Sequence, residues 1–277
     1  MLSVKLYKYS GAGNDFVLLD GRSLDDATLD HYRSAETISS LCNRHNGFLA
    51  ADGRIGADGL MILGSKEGLD FVMEYYNSDG SGGMMCGNGG RCITAFAHDM
   101  GIRPAGGHYR FEAADGLHSA EILSAEGTRK IVRIGMIDAF GLREVLGGYF
   151  LNTGPRHFVL FCPDVETIDI EKQGPAFRWD VEFAPEGANV NFVTAQSDGS
   201  LKVRTFEKGV EAETLACGTG LTASAIAAHI AGIPATKTDG RRVYYQLHAR
   251  QDDLSVDFVP ESPAVEVFLT GPAEQIL

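Results

Sequence analysis

The feature that most restricts what this chain can fold into is a repeat. "MMCGNGGRC" at residues 84–92 shares its Cys-Gly-x-Gly centre with "LACGTGLTA" at 215–223. Cys86 and Cys217 stand 131 residues apart, and the same offset links Gly87 to Gly218, Gly89 to Gly220 and Gly101 to Gly232. Upstream, Gly56-Ala57-Asp58 and Gly187-Ala188-Asn189 keep it, and "EYYNSDG" falls opposite "RTFEKGV". "GAGNDFVLL" and "NTGPRHFVLF" pair at a looser offset of 142. Several landmarks at one spacing are the trace of a duplicated structural unit. A length of 277 residues also suits two domains of about 100–200 residues each. The expected organisation is 1–134 with Cys86, 135–270 with Cys217, and 271–277 as a tail returning to the first half.

Short alternating or apolar runs fill both halves. "SVKLYKY", "FVLLD", "LMILG", "FVMEYY", "HYRFEA", "KIVRIGM", "HFVLF", "VNFVTA", "LKVRTF", "LSVDFV" and "AVEVFLTG" are bounded by turn residues and read as strands. Helices are expected over 26–43 and after each Cys-Gly-x-Gly. The class is α+β, rich in strand.

Composition excludes several roles. The formal charge is −13 and no basic cluster exceeds a doublet, so no nucleic-acid footprint is present. No apolar run reaches the ~20 residues of a membrane helix, and "MLSVKLYKYSGAGNDF" lacks the layout of a secretory signal; a soluble, cytoplasmic protein is expected. Five scattered cysteines, Cys42, Cys86, Cys92, Cys162 and Cys217, make no disulfide framework and no zinc spacing, so no metal is expected.

A helix that opens on a Gly-rich turn offers unpaired N–H groups and the positive end of its dipole. Such an end binds carboxylate or phosphate and stabilises a thiolate. Two helix starts brought together by a two-fold repeat would place one carboxylate among two sets of donors, with a thiol on each face of its α-carbon. One thiolate would remove the α-proton and the opposite thiol would return a proton to the other face, inverting the centre without metal or organic cofactor.

"GAGNDFV" (11–17), "NSDGSGGMMCGNGGRC" (77–92), "GANVNFV" (187–193) and "RTFEKGVEAETLACGTG" (204–220) resemble the diaminopimelate epimerase family, and the resemblance runs on to the closing "FLTGPAEQIL". It implies two pseudo-symmetric halves, each a sheet or barrel-like body around a central helix. The activity it implies is interconversion of LL- and meso-diaminopimelate, for lysine and cell-wall precursor synthesis, without pyridoxal phosphate. Cys86 and Cys217 then correspond to the acid/base pair. Gly87 with Asn88, and Gly218 with Thr219, would hold the reacting carboxylate through backbone N–H groups. Asn14, Asn77 and Asn189 would bond the substrate's amino and carboxylate groups, and Glu207 an ammonium. Two departures concern the distal end of the substrate. Lys208 stands where the family has an arginine, which removes a bidentate fork. Gly154-Pro155-Arg156-His157 replaces Gly-Asn-Pro-His, with Arg156 as a compensating cation. The partner is a small molecule; no nucleic acid or membrane partner is expected, and the sequence permits a homodimer.

Plainer readings hold for other residues. Cys42, Cys92 and Cys162 read as packing residues, Asp58 as a turn or cap, and His157 as a structural hydrogen-bonding residue. His45, His98 and His229 suit core or surface. Two rival functions stand beside the first: a proline or hydroxyproline racemase, and a non-enzymatic anion-binding protein that uses the Gly-rich loops.

Overall fold

The computed structural model describes residues 4–83 and 85–277; Ser3 of the first expected strand and Met84 of the first motif lie outside the described residues. By its contacts the chain divides into one unit of Met1–Ile134 with Gly271–Leu277, and a second of Gly135–Thr270.

The first unit begins with a hairpin, Leu6–Gly11 against Asn14–Asp20. Its two-residue turn has φ of 50° at Ala12 and 99° at Gly13, the left-handed values that match the twist of paired strands. Asn14–Asp20 pairs in parallel with Gly59–Gly64, which is antiparallel to Phe71–Asn77. Phe71–Asn77 lies parallel to His108–Ala113, and two antiparallel steps follow to Gly116–Glu126 and Arg129–Gly135. The last strand, Val265–Ile276, pairs with both Arg129–Gly135 and Leu6–Gly11, which closes a ring. Two short helices, α1 (Asp26–Arg33) and α2 (Ala35–Cys42), cross from the second strand to the third. Ile38 and Cys42 of α2 pack on Val17, Leu19, Leu60 and Ile62.

The second unit repeats the same order of pairings. Gly148–Asn152 is antiparallel to Arg156–Phe161, which is parallel to Asn189–Ala195. Leu201–Glu207 follows antiparallel, Arg242–His248 parallel, and then Asp253–Val259 and Val265–Ile276 antiparallel. Phe140–Val145 and the short strands Ala212–Thr214 and Lys237–Asp239 add to its edges. A phenylalanine-rich core of Phe150, Phe158, Phe183, Phe192 and Phe206 lies under the helix α4 (Ile170–Arg178).

Each unit holds one deeply buried helix behind its cysteine. α3 (Gly87–Asp99) is buried at every residue from Gly87 to Ala97, and α5 (Gly218–Ile230) is buried from Gly220 to Ala228. A helix with no exposed stripe belongs inside a core rather than on a surface. The glycines of the motifs permit this. A Cβ on Gly90 would stand 2.2 Å from Ile134 Cδ1, and one on Gly220 would stand 2.3 Å from Asn191 Oδ1.

The structure departs from the sequence expectation in several places, among them the unread strands Phe140–Val145, Gly148–Asn152 and Arg242–His248. The helix expected over 26–43 is two, because Ser34 leaves helical geometry (φ −69°, ψ 136°) to cap α2 through Thr37 N. α4 was not expected: Pro175 and Gly174 argue against a helix, yet Asp169 caps it and Pro175 stands within it. The strand Gly116–Glu126 also went unread, since most of its residues are exposed or half-buried and leave no clean alternation.

Candidate active site

Cys86 and Cys217 occupy the same structural position, the N-cap of a buried helix. That position favours a side chain that accepts from the first-turn N–H groups, a role Ser, Thr, Asp and Asn usually fill. Cys86 fills it with sulfur: the Gly89 N–H donates to Cys86 Sγ at 3.2 Å. Cys217 differs. Its Sγ lies 3.4 Å from Thr219 Oγ1.

In the first unit the Gly-rich helix start is wired to the hairpin turn. The fully buried Arg91 donates from Nη2 to Asn88 Oδ1 at 2.9 Å, from Nη1 to Gly87 O at 3.1 Å, and from Nε to Pro272 O at 3.2 Å. Asn88 Nδ2 donates to Asn14 Oδ1 at 2.7 Å, and Asn14 Nδ2 donates to Asp58 Oδ2 at 2.9 Å. Asp58 also accepts from the Asp15 N–H at 3.1 Å and pairs with Arg44. Arg44 reaches Asp15 at 2.7 Å, and the buried Lys8 holds Asp15 at 2.8 Å. Although burial opposes its charge, Arg44 and Lys8 together hold the Asp15 carboxyl below its ordinary range.

In the second unit the helix start is wired to a histidine. Asn191 Nδ2 donates to His157 Nδ1 at 3.1 Å and to Phe158 O at 3.2 Å, while the Thr205 hydroxyl donates to Asn191 Oδ1 at 3.0 Å. These three bonds fix the amide, so His157 Nδ1 is an acceptor and the ring proton sits on Nε2. His157 Nε2 then donates to Thr219 Oγ1 at 3.0 Å. Thr219 Oγ1 thus accepts from His157 and lies 3.4 Å from Cys217 Sγ, where its hydroxyl can donate to a thiolate. Complete burial pushes the His157 ring down to about 3, so it is neutral in the fold. Thr153 Oγ1 bonds Thr219 O at 2.9 Å and pins the first turn of α5.

The other expected residues are placed as follows. Asn77 ends its strand, and its Nδ2 donates to Ser81 Oγ at 3.0 Å inside its own turn. Asn189 is buried; its Nδ2 donates to Arg156 O at 3.0 Å and its Oδ1 accepts from the Lys208 N–H at 2.8 Å. Asn189 therefore links Lys208 to the strand that carries His157. Burial raises the Glu207 carboxyl above its ordinary range. The Lys208 side chain is exposed. Arg156, expected as a compensating cation, has its guanidinium 3.0 Å from Glu186 and over the Phe150 ring.

Sequence reasoning passed over Arg91 and Asn191, read Asp58 as a turn or cap residue, and gave His157 no more than a hydrogen-bonding place. One signal was present: Asp58 shares the 131-residue offset with Asn189; each follows a Gly-Ala pair, Asp58 just ahead of its strand and Asn189 opening its own. Among the described residues no group of three His, Cys, Asp or Glu side chains gathers as metal ligands, and no helix is long and apolar enough to cross a membrane.

Comparison with known proteins places the chain in a family. The family model described as diaminopimelate epimerase matches residues 6–138 and 149–274. A diaminopimelate epimerase of Chlorobaculum tepidum is 38% identical over 272 residues, covering 96% of this chain and 97% of the relative. One of Aquifex aeolicus is 37% identical over 292 residues, covering 99% and 96%. Among solved structures, a PhzF-family phenazine biosynthesis protein of Bacillus anthracis superposes with a TM-score of 0.70 at 12% identity, covering 100% and 98%. A hydroxyproline epimerase of Agrobacterium vitis gives 0.63 at 16% identity, covering 99% and 90%. At such identities these two describe the fold alone.

Proposed function

The chain belongs to the diaminopimelate epimerase family, and from that membership we infer that it inverts one α-carbon of diaminopimelate by two-base catalysis, with Cys86 and Cys217 as the bases. It is an isomerase, and its family role lies in lysine biosynthesis. The observation that carries the mechanism is the duplicated N-cap cysteine, one in each unit, each followed by a Gly-rich first turn.

The thiolate of one cysteine takes the α-proton, forming an S–H bond while the C–H pair passes to the α-carbon and into the carboxylate. The opposite thiol gives its proton to the other face and is left as thiolate. Atoms and charge balance, and the two cysteines have exchanged protonation states. An amino-acid α-proton is a very weak acid, so charge building on the carboxylate must be met by fixed donors. The backbone N–H groups of Gly87 with Asn88 and of Gly218 with Thr219 stand at helix N-termini suited to that task. Such donors contribute about 3–4 kcal/mol each in oxyanion sites. The Gly89 N–H favours thiolate at Cys86, and the His157–Thr219 relay offers Cys217 a donor of the same kind.

Asn14, Asn77 and Asn189 supply donors and acceptors for the amino and carboxylate groups, and Glu207 meets an ammonium. Lys208 gives the distal carboxylate a single cationic donor in place of a fork.

The test is exchange of the α-proton in D₂O, followed by NMR with LL-diaminopimelate and no added cofactor. Wild type should lose the α-proton signal as the meso isomer appears, and Cys86→Ala and Cys217→Ala should do neither. Exchange that survives in either variant would refute the two-thiol assignment. Exchange of proline or hydroxyproline, and none of diaminopimelate, would refute the substrate.

A further inference from the structure

Asn14 is useful to a ligand only if its amide faces one way, because oxygen and NH₂ are nearly equal in size and opposite in chemistry. Its surroundings remove that ambiguity from two directions. At one end stands Arg91, whose guanidinium can only donate; it takes Asn88 Oδ1 at 2.9 Å and so turns the Asn88 NH₂ outward. At the other stands Asp58, a carboxylate that can only accept; it takes Asn14 Nδ2 at 2.9 Å and so turns Asn14 Oδ1 toward Asn88. The central bond, Asn88 Nδ2 to Asn14 Oδ1 at 2.7 Å, closes the chain in the one sense that both ends allow.

The duplicated architecture marks Asp58 independently. It has the same place in the first unit that Asn189 has in the second, the residue ahead of or opening a strand after Gly-Ala. The Asp58 N–H bonds Asp15 O, and Asn189 is in parallel register with His157. In both units this position bonds the strand before it: Asn189 Nδ2 through Arg156 O, Asp58 Oδ2 through the Asn14 amide and the Asp15 N–H.

We propose that Asp58 is a positioning residue that dictates which face of the Asn14 amide the substrate meets, with Arg91 setting the same polarity for Asn88. This rests on the reading of Asn14 as a substrate contact. Asp58 touches no reacting atom; it acts through Asn14.

Arg44 makes the proposal sharply testable. In Asp58→Asn, the Arg44 guanidinium beside Oδ1 draws the new amide oxygen toward itself, which leaves the new NH₂ facing Asn14. Two NH₂ groups then oppose each other, unless Asn14 turns over and breaks its bond from Asn88. Removing Arg44 as well frees the new amide to present its oxygen to Asn14 again. Lys8, 2.8 Å from Asp15 in the wild-type chain, is left as the ion-pair partner of Asp15 in that double variant.

The experiment measures kcat and KM for diaminopimelate in wild type, Asp58→Asn, and Asp58→Asn with Arg44→Met. Loss of a binding contact that is equal in ground and transition states raises KM and spares kcat. Asp58→Asn should raise KM about tenfold with kcat changed less than about threefold, and adding Arg44→Met should recover at least about threefold of the KM. A purely structural salt bridge predicts the reverse, since the second deletion would only add damage. The proposal is overturned if the double variant is no better than the single, if KM in Asp58→Asn stays within about twofold of wild type, or if kcat alone falls. Should wild type not turn over diaminopimelate at all, the functional reading fails but the positioning can still be judged. Side-chain amide signals of Asn14 in ligand-free, ¹⁵N-asparagine-labelled protein should shift in Asp58→Asn and return in the double variant. Signals unmoved by Asp58→Asn would overturn it.

Discussion

A neutral, sealed histidine should make the second unit sensitive to acid, and the size of the effect follows from its burial. His157 is pushed down to about 3 from an ordinary 6.5. The fold therefore keeps the ring neutral while the unfolded chain takes up a proton, so stability is complete above pH 6.5 and is lost as pH falls from there toward 3. At about pH 5 the ring has cost roughly 2 kcal/mol, and the full loss approaches about 5 kcal/mol. His157→Gln keeps an N–H near the position of Nε2 and removes the titration. The only tryptophan, Trp179, lies in the same unit and reports its unfolding. Urea denaturation of reduced protein should show wild type losing about 2 kcal/mol relative to the variant between about pH 7 and pH 5, the shared carboxylates cancelling in the difference. A difference that stays within about 0.5 kcal/mol across that range would refute the reasoning. The ring would then titrate alike in fold and coil, and its sealed, neutral state in the fold would be wrong.

Other outcomes follow from single contacts. Gly220→Ala drives a Cβ to 2.3 Å from Asn191 Oδ1; it should cost about 1–3 kcal/mol in thermal unfolding by overpacking. Thr219→Val removes the hydroxyl 3.4 Å from Cys217 Sγ; in a Cys86→Ala background, iodoacetamide should label Cys217 about tenfold more slowly near neutral pH. Ser34→Ala deletes the cap that starts α2 and should cost about 1 kcal/mol by calorimetry. Because burial raises the Glu207 carboxyl, its charge is lost on the acid side earlier than for an exposed glutamate. KM should climb as pH falls below neutral, and Glu207→Gln should have a high, flat profile.

What the sequence made legible is what repeats or alternates. The helices expected behind Cys86 and Cys217 begin at Gly87 and Gly218, because Gly-rich turns and interrupted polarity are local signals. α4 escaped because Pro175 speaks against it locally while the Phe158 and Phe206 core behind it holds it in place. The break at Ser34 escaped because a capping serine inside an otherwise helical pattern resembles any other polar residue. The buried polar network lay beyond sequence reading for a plainer reason. Asn14 meets Asn88 across 74 residues, and His157 meets Thr219 across 62; no periodicity connects such partners. A family resemblance could name Asn14, yet only coordinates supply Arg91, Asp58 and Asn191 as the groups that hold these amides and rings in one orientation.

The last strand has a consequence for how the molecule is made. Residues 271–277 belong to the first unit, and 274–276 pair with its first strand, although the whole second unit precedes them in the chain. A ribosome delivers α3 and the first seven strands of that unit, the hairpin among them, well before the piece that closes them. Until then Leu6–Gly11 presents an unpaired edge, and Arg91 lacks the Pro272 carbonyl that helps to hold it. The half synthesised first must be completed last, so vectorial, half-by-half folding is closed to this topology.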